Sequence, residues 1–301
     1  RLVPEAPLDF NQMLCGKRSV QSEGGSLLSL NLLDAFEMGD SEFEILKLIK
    51  SQPPNVFMET DDCNNLPIHI ASSKSSSVSV VEEIIRCYPE GLKKKNDDGR
   101  LPIHLAAKYN TSVDVFKAIL EAYPNGLRER NSYGWLPLHC AAVNGVTLNI
   151  VREIIRSYPD GVRQKTTNGI LPIHFAARNS TSVDLIRDIL QEYPDGIMEP
   201  DSAGRLPLHY AAASNASSEV VKEVLMAYPE AASHRDNIGR IPLHHAALNH
   251  SSIAVELLRL IVAAYPAGVN ELDQQDLRPR QLVEDSNPSK DLLLQYLSED
   301  A

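Results

Sequence analysis

The motif LPIH, with Leu or Ile at its first and third positions, occurs six times at a constant spacing of 35 residues. Its histidines are His69, His104, His139, His174, His209 and His244. A fixed period of this length is typical of repeat proteins, in which no unit buries its apolar face alone and stacked units share one core. The 301 residues are therefore expected to form one array of stacked units instead of two globular domains.

The first half of a unit reads as a turn followed by a helix, as the second copy shows. Asn96 and Gly99 occupy the first and fourth positions of a type I turn. Pro102 falls at the first helical position, where its missing N–H costs nothing. Ala106 and Ala107 give this helix a small apolar face, which predicts close packing against neighbouring units.

The second half of the unit predicts another helix and a return strand. Apolar residues between Val113 and Tyr123 follow helical spacing. Pro124 ends the helix because a proline moves the preceding residue out of the α region. Gly126 supplies a turn, and residues 127–130 are expected to run extended into the next unit. Each unit is thus predicted as turn, helix, short bend, helix and return strand.

The pattern DxxGxLPLHxAA resembles the ankyrin repeat, whose family pattern has Thr where this chain has Leu or Ile before the proline. Six units covering residues 61–269 match it. They depart from it in a period of 35 instead of about 33 residues and in the sequence YPxG after the second helix. The resemblance implies an all-α fold, an ankyrin-like α-solenoid of stacked helix–turn–helix repeats joined by β-hairpin-like turns. It also implies a non-enzymatic scaffold that binds protein partners through turn tips and the concave face of the first helices.

The residues outside the repeats divide into two caps and an arm. Residues 26–60 read as an N-terminal capping repeat with Asp34 in place of the histidine. Residues 270–301 read as a C-terminal capping repeat with Gln281 in that place. Residues 1–25 show no period and are expected to form an extended or flexible arm.

The repeat histidines could be metal ligands, catalytic groups or structural residues. Adjacent repeats pack helix against helix at about 8–10 Å, whereas zinc needs ligand atoms about 2.0–2.1 Å away, so histidines in register cannot share a metal. We expect each of them to hydrogen-bond the backbone at the turn–helix junction, and we expect no metal and no cofactor. The chain contains no strained nucleophile motif or glycine-rich phosphate loop, so no catalytic residue is predicted. The histidines outside the register are interpreted as lone surface residues: His234, His245 and His250.

Turn side chains that the scaffold does not require are the candidates for partner binding. They include Trp, Tyr and Arg, the residue types enriched in binding hot spots. The predicted partner-binding residues are Arg100, Tyr133, Trp135, Ile170, Arg205 and Arg240. The alternative for Trp135 is that it folds back onto the neighbouring turn and covers the edge of the core.

Basic residues on the predicted return strands form two columns of a ridge, because alternate strand residues face the same side. The ridge residues are Lys93, Lys95, Arg128, Arg130, Arg163 and Lys165. They could bind the anionic groups of an acidic or phosphorylated segment, a nucleic acid or a phosphoinositide. The short ridge and the net charge of −11 argue against nucleic acid. The alternatives are solvated charges offset by nearby acids, or a role for the chain as a structural subunit of a larger assembly.

Cysteine usage and the apolar runs bear on location. Cys15, Cys63, Cys87 and Cys140 show no metal-ligand spacing and are interpreted as free thiols, with a disulfide framework as the alternative. Free thiols indicate a reducing intracellular compartment, cytoplasmic by default. No apolar run approaches the about 20 residues of a membrane span, so a soluble protein is expected. The chain begins at Arg1, which indicates processing or truncation and leaves the organelle unassigned.

A serine cluster lies between Ser72 and Ser79. Its position at a helix–helix bend predicts N-cap chemistry, since serine hydroxyls cap helix N-termini well. Phosphorylation of this cluster is the alternative.

Overall fold

A computed structural model describes residues 32–38, 41–110, 112–144, 147–179, 182–251, 254–283, 287 and 289–297 of the chain. The arm predicted for residues 1–25 lies outside these ranges, as do parts of both predicted capping repeats. The described residues form α-helices and short 3₁₀ helices without a β-strand. The all-α fold predicted from the sequence is confirmed.

The helices follow the predicted order, two to each repeat. The described residues begin with α1 (Leu32–Met38), α2 (Glu42–Ser51) and a 3₁₀ helix (Pro54–Met58). The first helices of the six repeats are α3 (Pro67–Lys74), α5 (Pro102–Tyr109), α7 (Pro137–Asn144), α9 (Pro172–Asn179), α11 (Pro207–Ala212) and α13 (Pro242–Ala247). The second helices are α4 (Val78–Cys87), α6 (Val113–Ala122), α8 (Leu148–Ser157), α10 (Val183–Glu192), α12 (Ser218–Ala227) and α14 (Ala254–Ala264).

The first helices form one layer of the stack and the second helices form the other. Each first helix packs on the first helix of the next repeat, from α3 to α13, and each second helix packs on the next second helix, from α4 to α14. The fully buried Ala106 and Ala107 permit this close approach between first helices. The core lies between the layers, where Phe116 and Ile119 of α6 are buried. Every repeat thus completes the core of its neighbours.

Polar side chains hold the bend between the two helices of a repeat. The Ser112 hydroxyl accepts the N–H of Val115 at 3.3 Å, which caps α6. The amide of Asn110 donates to the carbonyls of Ser72 and Ser75 in the preceding repeat, at 2.8 and 2.9 Å. Neighbouring bends are therefore connected, and the start of each second helix is fixed relative to the repeat before it.

A 3₁₀ helix follows each second helix, where the sequence analysis predicted a turn and a return strand. These 3₁₀ helices are Pro89–Lys93, Pro124–Arg128, Pro159–Arg163, Pro194–Met198, Pro229–Ser233 and Pro266–Asn270. Each begins at the proline after the tyrosine, whose fixed φ suits a helical turn, and is closed by a backbone bond from the residue two positions after the proline to the tyrosine carbonyl, even where Ala231 replaces the glycine. A Cβ on Gly126 would lie 3.1 Å from Tyr123 Cδ1, and the Gly126 N–H donates to the Tyr123 carbonyl at 3.0 Å. The backbone becomes extended only at Glu129, just before the next turn.

The turns between repeats are hairpin-like and stack along the array. Their glycines have φ between +69° and +79°, and Asn64 takes the equivalent position in the first repeat with φ +58°. The Ser132 N–H donates to the Asp98 carbonyl at 3.0 Å, and the Ser202 N–H donates to the Asn168 carbonyl at 3.0 Å. These bonds join residues 34 positions apart, so each turn is aligned on the one before it. We refer to this series of inter-turn hydrogen bonds as the turn ladder.

The C-terminal end departs from the repeat in the way the sequence indicates. Pro279 begins a 3₁₀ helix (Pro279–Leu282), and α15 (Lys290–Tyr296) packs on α14. Gln281 stands where the repeats have histidine, and its Oε1 accepts the N–H of Arg278 at 2.8 Å. The capping role of this segment and the exact boundaries of the domains remain predictions.

The cysteines are only partly as predicted. Cys87 and Cys140 have free thiols, and burial raises the pKa of Cys140 to about 11. Cys63 takes part in a disulfide bond, so the prediction of a free thiol is wrong for it. Spacing along the chain could not reveal this bond, because a disulfide depends on proximity in the fold. Cys63 therefore gives no support to a reducing compartment, and Cys15 lies outside the described residues.

No helix in the described ranges is both long enough and apolar enough to cross a membrane.

Candidate interaction surface

The repeat histidines are buried and bind backbone groups of two neighbouring repeats. In His104, Nδ1 accepts the N–H of Leu101 at 3.2 Å. Two carbonyl oxygens lie near its Nε2: that of Glu129, at the end of the same repeat, at 3.0 Å, and that of Trp135, in the next repeat, at 3.2 Å. Because carbonyls only accept, the ring proton is on Nε2. Each of the other five, His69, His139, His174, His209 and His244, pairs in the same way with the N–H three residues earlier and with a carbonyl of the following unit, which for His139 is that of Ile170.

These histidines are neutral at pH 7. Burial lowers their pKa, to about 4 for His69 and His174, to about 3 for His104, His139 and His209, and in the same direction for His244. Both ring nitrogens are occupied by the backbone, so neither is available to bind a metal or to relay a proton. The hydrogen bonds expected at the turn–helix junction are present in all six.

Two histidines outside the register are half-buried, so the prediction of lone surface residues is wrong for them. His245 Nε2 lies 2.9 Å from Asp236 Oδ2, and its ring centroid is 5.3 Å from that of His209. His234 Nε2 lies 3.2 Å from the Gly204 carbonyl. They lie in the seam between the fifth and sixth repeats, where the centroid of the His234 ring is 6.0 Å from that of His209. His250 is exposed, as predicted.

Half of the predicted partner-binding residues point into the protein. Arg100, Trp135 and Ile170 are only 4 %, 5 % and 1 % exposed. The side chain of the first turn residue accepts the N–H of the residue after glycine, as Asn131 Oδ1 does for Trp135 at 2.8 Å. Arg205 and Arg240 make the same bond, so the packing partner decides the direction of the side chain: the centroid of the Trp135 ring lies 4.7 Å from that of Phe175. The alternative, in which Trp135 covers the edge of the core, is the arrangement found.

The two remaining arginines are partly exposed and held by carboxylates. Arg205 Nη2 lies 2.8 Å from Asp201 Oδ2, and Arg240 Nε lies 3.0 Å from Asp273 Oδ2. Burial alone would raise the pKa of Asp201. The Tyr210 hydroxyl and Arg205 outweigh burial, and this pKa lies below its usual value. The side chains of Arg205 and Arg240 keep 28 % and 18 % of their surface accessible, so they can contact a partner only with part of the guanidinium group.

The outermost positions of the turns are the second and third turn residues. Tyr133 is half-buried there, and its hydroxyl donates to Asp98 Oδ1 at 3.3 Å. Ile238 occupies the equivalent position of the sixth repeat and is 50 % exposed. The sequence analysis did not select Ile238, although an isoleucine in a column with Asp98 and Asn168 was a usable signal.

The predicted basic ridge separates into two sets of residues with different contacts. Lys93, Arg128 and Arg163 end 3₁₀ helices, so the strand alternation used to predict them is wrong. Arg128 lies over the ring of Tyr158 at 4.4 Å from its centroid. Lys93 is paired with Glu90, and Arg163 lies over the ring of Tyr193 at 5.0 Å.

The second set of ridge residues is occupied by contacts between repeats. Lys95 pairs with Glu129 at 3.2 Å, and Lys165 pairs with Glu199 at 2.8 Å. Arg130 donates to the carbonyls of Gly134 and Lys165, at 2.7 and 2.8 Å. For these three side chains the interpretation as locally offset charges fits the contacts better than that of an open anion site.

Hydroxyl groups in the serine cluster mostly bond locally. Ser72 donates to the Ile68 carbonyl at 2.5 Å, and Ser77 caps α4 by accepting the Val80 N–H at 3.3 Å. The predicted N-cap chemistry is confirmed for Ser77. In the described ranges, no group of three or more His, Cys, Asp and Glu side chains is placed to hold a metal ion.

Comparison with known proteins agrees with this architecture. The profile of the family described as ankyrin repeats (3 copies) matches residues 68–168 and 173–271. Among solved structures, the ankyrin repeat domain of Bcl-3, described as a unique member of the IkappaB protein family, is similar in fold with a TM-score of 0.54. The two chains share 22 % sequence identity over 78 % of this chain and 100 % of that domain. None of the curated proteins matches the sequence.

The family profile covers well over half of the chain, and it coincides with the repeats seen in the structure. Ankyrin repeats generally mediate protein–protein interaction. The chain belongs to the ankyrin-repeat family.

Proposed function

We propose that the chain is a non-enzymatic scaffold that binds a protein partner across its turn tips and the adjoining concave face of the first helices. The observation that carries this proposal is the turn ladder, in which backbone hydrogen bonds 34 positions apart join four pairs of consecutive turns. Between the third and fourth turns the Thr167 hydroxyl donates to the Tyr133 carbonyl at 3.0 Å instead. A row of tips held in this way is already ordered before a partner arrives. Binding therefore costs less conformational entropy than it would for independent loops.

The contact residues we propose are those that remain accessible at or near the tips. Tyr133 and Ile238 supply apolar surface three repeats apart. Arg205 and Arg240 supply partly exposed cations whose positions are fixed by Asp201 and Asp273. Aromatic and arginine side chains of this kind dominate the energy of many interfaces.

The inward-facing residues have a supporting part in this proposal. Trp135 packs on Phe175, and Arg100 is paired with Asp98 at 2.9 Å. Both side chains support the turns from the side of the core. Removing either would alter the tips indirectly, so they are poor choices for a test of direct contact.

A paired substitution tests the turn-tip surface. Ile238→Asp combined with Tyr133→Ser should reduce the partner recovered by affinity purification and mass spectrometry by about tenfold or more. Both changes are at accessible positions, so the melting temperature should change little.

The matched control is Met226→Asp on α12, since Met226 is 79 % exposed but lies in the layer of second helices. This variant should recover the partner normally. If Met226→Asp lost the partner while the paired variant kept it, the turn tips would not be the binding surface.

A further inference from the structure

Two arginines of the basic ridge are held in the same way in consecutive repeats. Arg128 ends the 3₁₀ helix Pro124–Arg128 and lies over Tyr158 of the next repeat, 4.4 Å from the ring centroid. Arg163 ends the 3₁₀ helix Pro159–Arg163 and lies over Tyr193, 5.0 Å from the ring centroid. Both side chains are exposed.

The tyrosine rings under these arginines are themselves fixed. A Cβ on Gly161 would lie 3.2 Å from Tyr158 Cδ1, and one on Gly196 would lie 2.9 Å from Tyr193 Cδ1, so each glycine backbone is in close contact with its ring. A guanidinium group stacked on a fixed ring loses less freedom when it binds a ligand. Its planar fork of N–H donors suits carboxylate and phosphate oxygens.

These two arginines also differ from the other cations of the ridge because most of their N–H donors make no hydrogen bond. Lys93, Lys95 and Lys165 are each paired with a glutamate, and Arg130 donates to backbone carbonyls. Within the described ranges, Arg128 makes no hydrogen bond or ion pair, and Arg163 makes one hydrogen bond, from Nη2 to the Glu192 carbonyl at 3.0 Å. Most of their N–H donors are therefore free to bind an anion.

We propose that Arg128 and Arg163 form a two-pronged site for a peptide segment that carries two phosphorylated residues. Equivalent positions of adjacent repeats are about 10 Å apart, which matches three residues of a peptide in the polyproline II conformation at about 3.1 Å each, where residues i and i+3 lie on the same face. A phosphoryl group offers three acceptor oxygens and a charge of about −1.5 to −2, so each arginine can hold one with bidentate bonds.

The surroundings favour two separate anionic groups over a continuous polyanion. The ridge stops after Arg163, because Met198, Ser233 and Asn270 occupy the equivalent positions of the later repeats. Exposed carboxylates at Asp160 and Glu192 would repel an extended nucleic acid or an anionic membrane surface. The site shares no residue with the turn-tip contacts proposed above, so either proposal can fail alone.

The test uses the full chain and the synthetic peptide Ac-Gly-pSer-Gly-Gly-pSer-Gly-NH2, with binding measured by calorimetry. We expect saturable binding of one peptide per chain. Arg128→Gln and Arg163→Gln should each weaken binding by about tenfold. Arg128→Lys should lose nearly as much as Arg128→Gln, because lysine keeps the charge but lacks the fork.

Lys165→Gln is the matched control, since it removes one exposed positive charge that is already paired with Glu199. It should change the affinity by less than about twofold. A comparable loss in Lys165→Gln and Arg128→Gln would show a diffuse charge effect and overturn the proposal.

Three other probes test the class of ligand. The same peptide with a single phosphoserine, or with glutamate at both positions, should bind at least about tenfold more weakly. Equal binding of the singly phosphorylated peptide would exclude a two-pronged site. Tighter binding of a 12-nucleotide single-stranded DNA, or of vesicles containing phosphatidylinositol bisphosphate, would show that the ligand is a polyanion or a membrane instead.

Discussion

A single imidazole in each repeat joins backbone groups from two neighbouring units. His139 accepts the Leu136 N–H through Nδ1 at 3.1 Å, and its Nε2 lies 2.9 Å from the carbonyl of Gln164 at the end of the same repeat and also donates to the Ile170 carbonyl of the next repeat. Gln281 performs the accepting half of this role at the C-terminal end through its Oε1. This position therefore requires one hydrogen-bond acceptor and one hydrogen-bond donor at a fixed distance from each other. It does not require a charged imidazole.

Substitutions at His139 should separate hydrogen bonding from packing. His139→Leu keeps the volume but leaves a buried N–H and a buried carbonyl without partners, so it should cost about 3 kcal/mol in the free energy of unfolding. His139→Gln can replace both bonds and should cost about 1 kcal/mol. Urea denaturation measures the difference, and equal losses in the two variants would contradict this account.

At this scale the sequence predicted the histidines well and the turn side chains poorly. The repeat histidines were predictable because they recur two residues after a helix-initiating proline. A histidine in that place is expected to be buried, and few roles of histidine are compatible with burial. Trp135 was not predictable, because its burial depends on contact with the ring of Phe175 in the next repeat, which the sequence of its own turn does not reveal. A hot-spot composition alone does not tell whether such a residue faces a partner or the core.

The secondary-structure elements of a repeat depend on two glycines with different roles. Gly169 lies in a turn with φ +73°, and a Cβ there would lie 2.8 Å from the Ser202 backbone nitrogen. Gly126 lies in a 3₁₀ helix, where a Cβ would be 3.1 Å from Ile103 Cγ2 and where the fifth repeat already carries Ala231. At Gly169 a side chain is excluded both by the positive φ and by the lack of space. At Gly126 it is disfavoured only by moderate crowding.

Alanine substitutions should reveal this difference. Gly169→Ala should destabilise the protein by about 2–3 kcal/mol, because it combines a positive φ with contact to a turn-ladder residue. Gly126→Ala should cost about 1 kcal/mol or less. Thermal unfolding followed by circular dichroism gives the comparison, and a larger loss for Gly126→Ala would be inconsistent with it.

The elements themselves were largely predictable, apart from the return segments. Helix starts were marked by Pro102 and its equivalents, and helix ends by the YPxG tyrosine. The 3₁₀ helices were missed because each spans only five residues, too few to show a period, and depends on the proline and on a backbone bond to the tyrosine carbonyl. This error also placed Lys93, Arg128 and Arg163 on strands that do not exist.

Acidification acts on the whole molecule, because a buried neutral histidine recurs in every repeat. Their pKa values in the folded state lie well below the unfolded value of about 6.5. The unfolded chain therefore binds more protons below pH 6.5, so stability is full above that pH and decreases as the pH falls towards about 4. The buried carboxylates Asp201, Asp236 and Asp273 have lowered pKa values, so their contribution is lost only at lower pH.

Melting temperatures measured between pH 7.5 and 5 should therefore fall steeply. Each repeat histidine should contribute about 1–2 kcal/mol of lost stability between pH 7 and 5. For His139→Gln, the stability lost between pH 7 and 5 should be about one sixth smaller than for the wild type, because one of the six repeat histidines is absent. A constant melting temperature over this range would contradict the neutral, buried state of the histidines.

The turn ladder and the histidine bonds also have a mechanical consequence. Both run from one unit to the next, so a force applied to the two ends of the array would load these seams one after another. Rupture of one seam would release a repeat of 35 residues, about 120 Å of stretched chain. An array built in this way would lengthen under tension in regular steps, as an elastic element made of identical links.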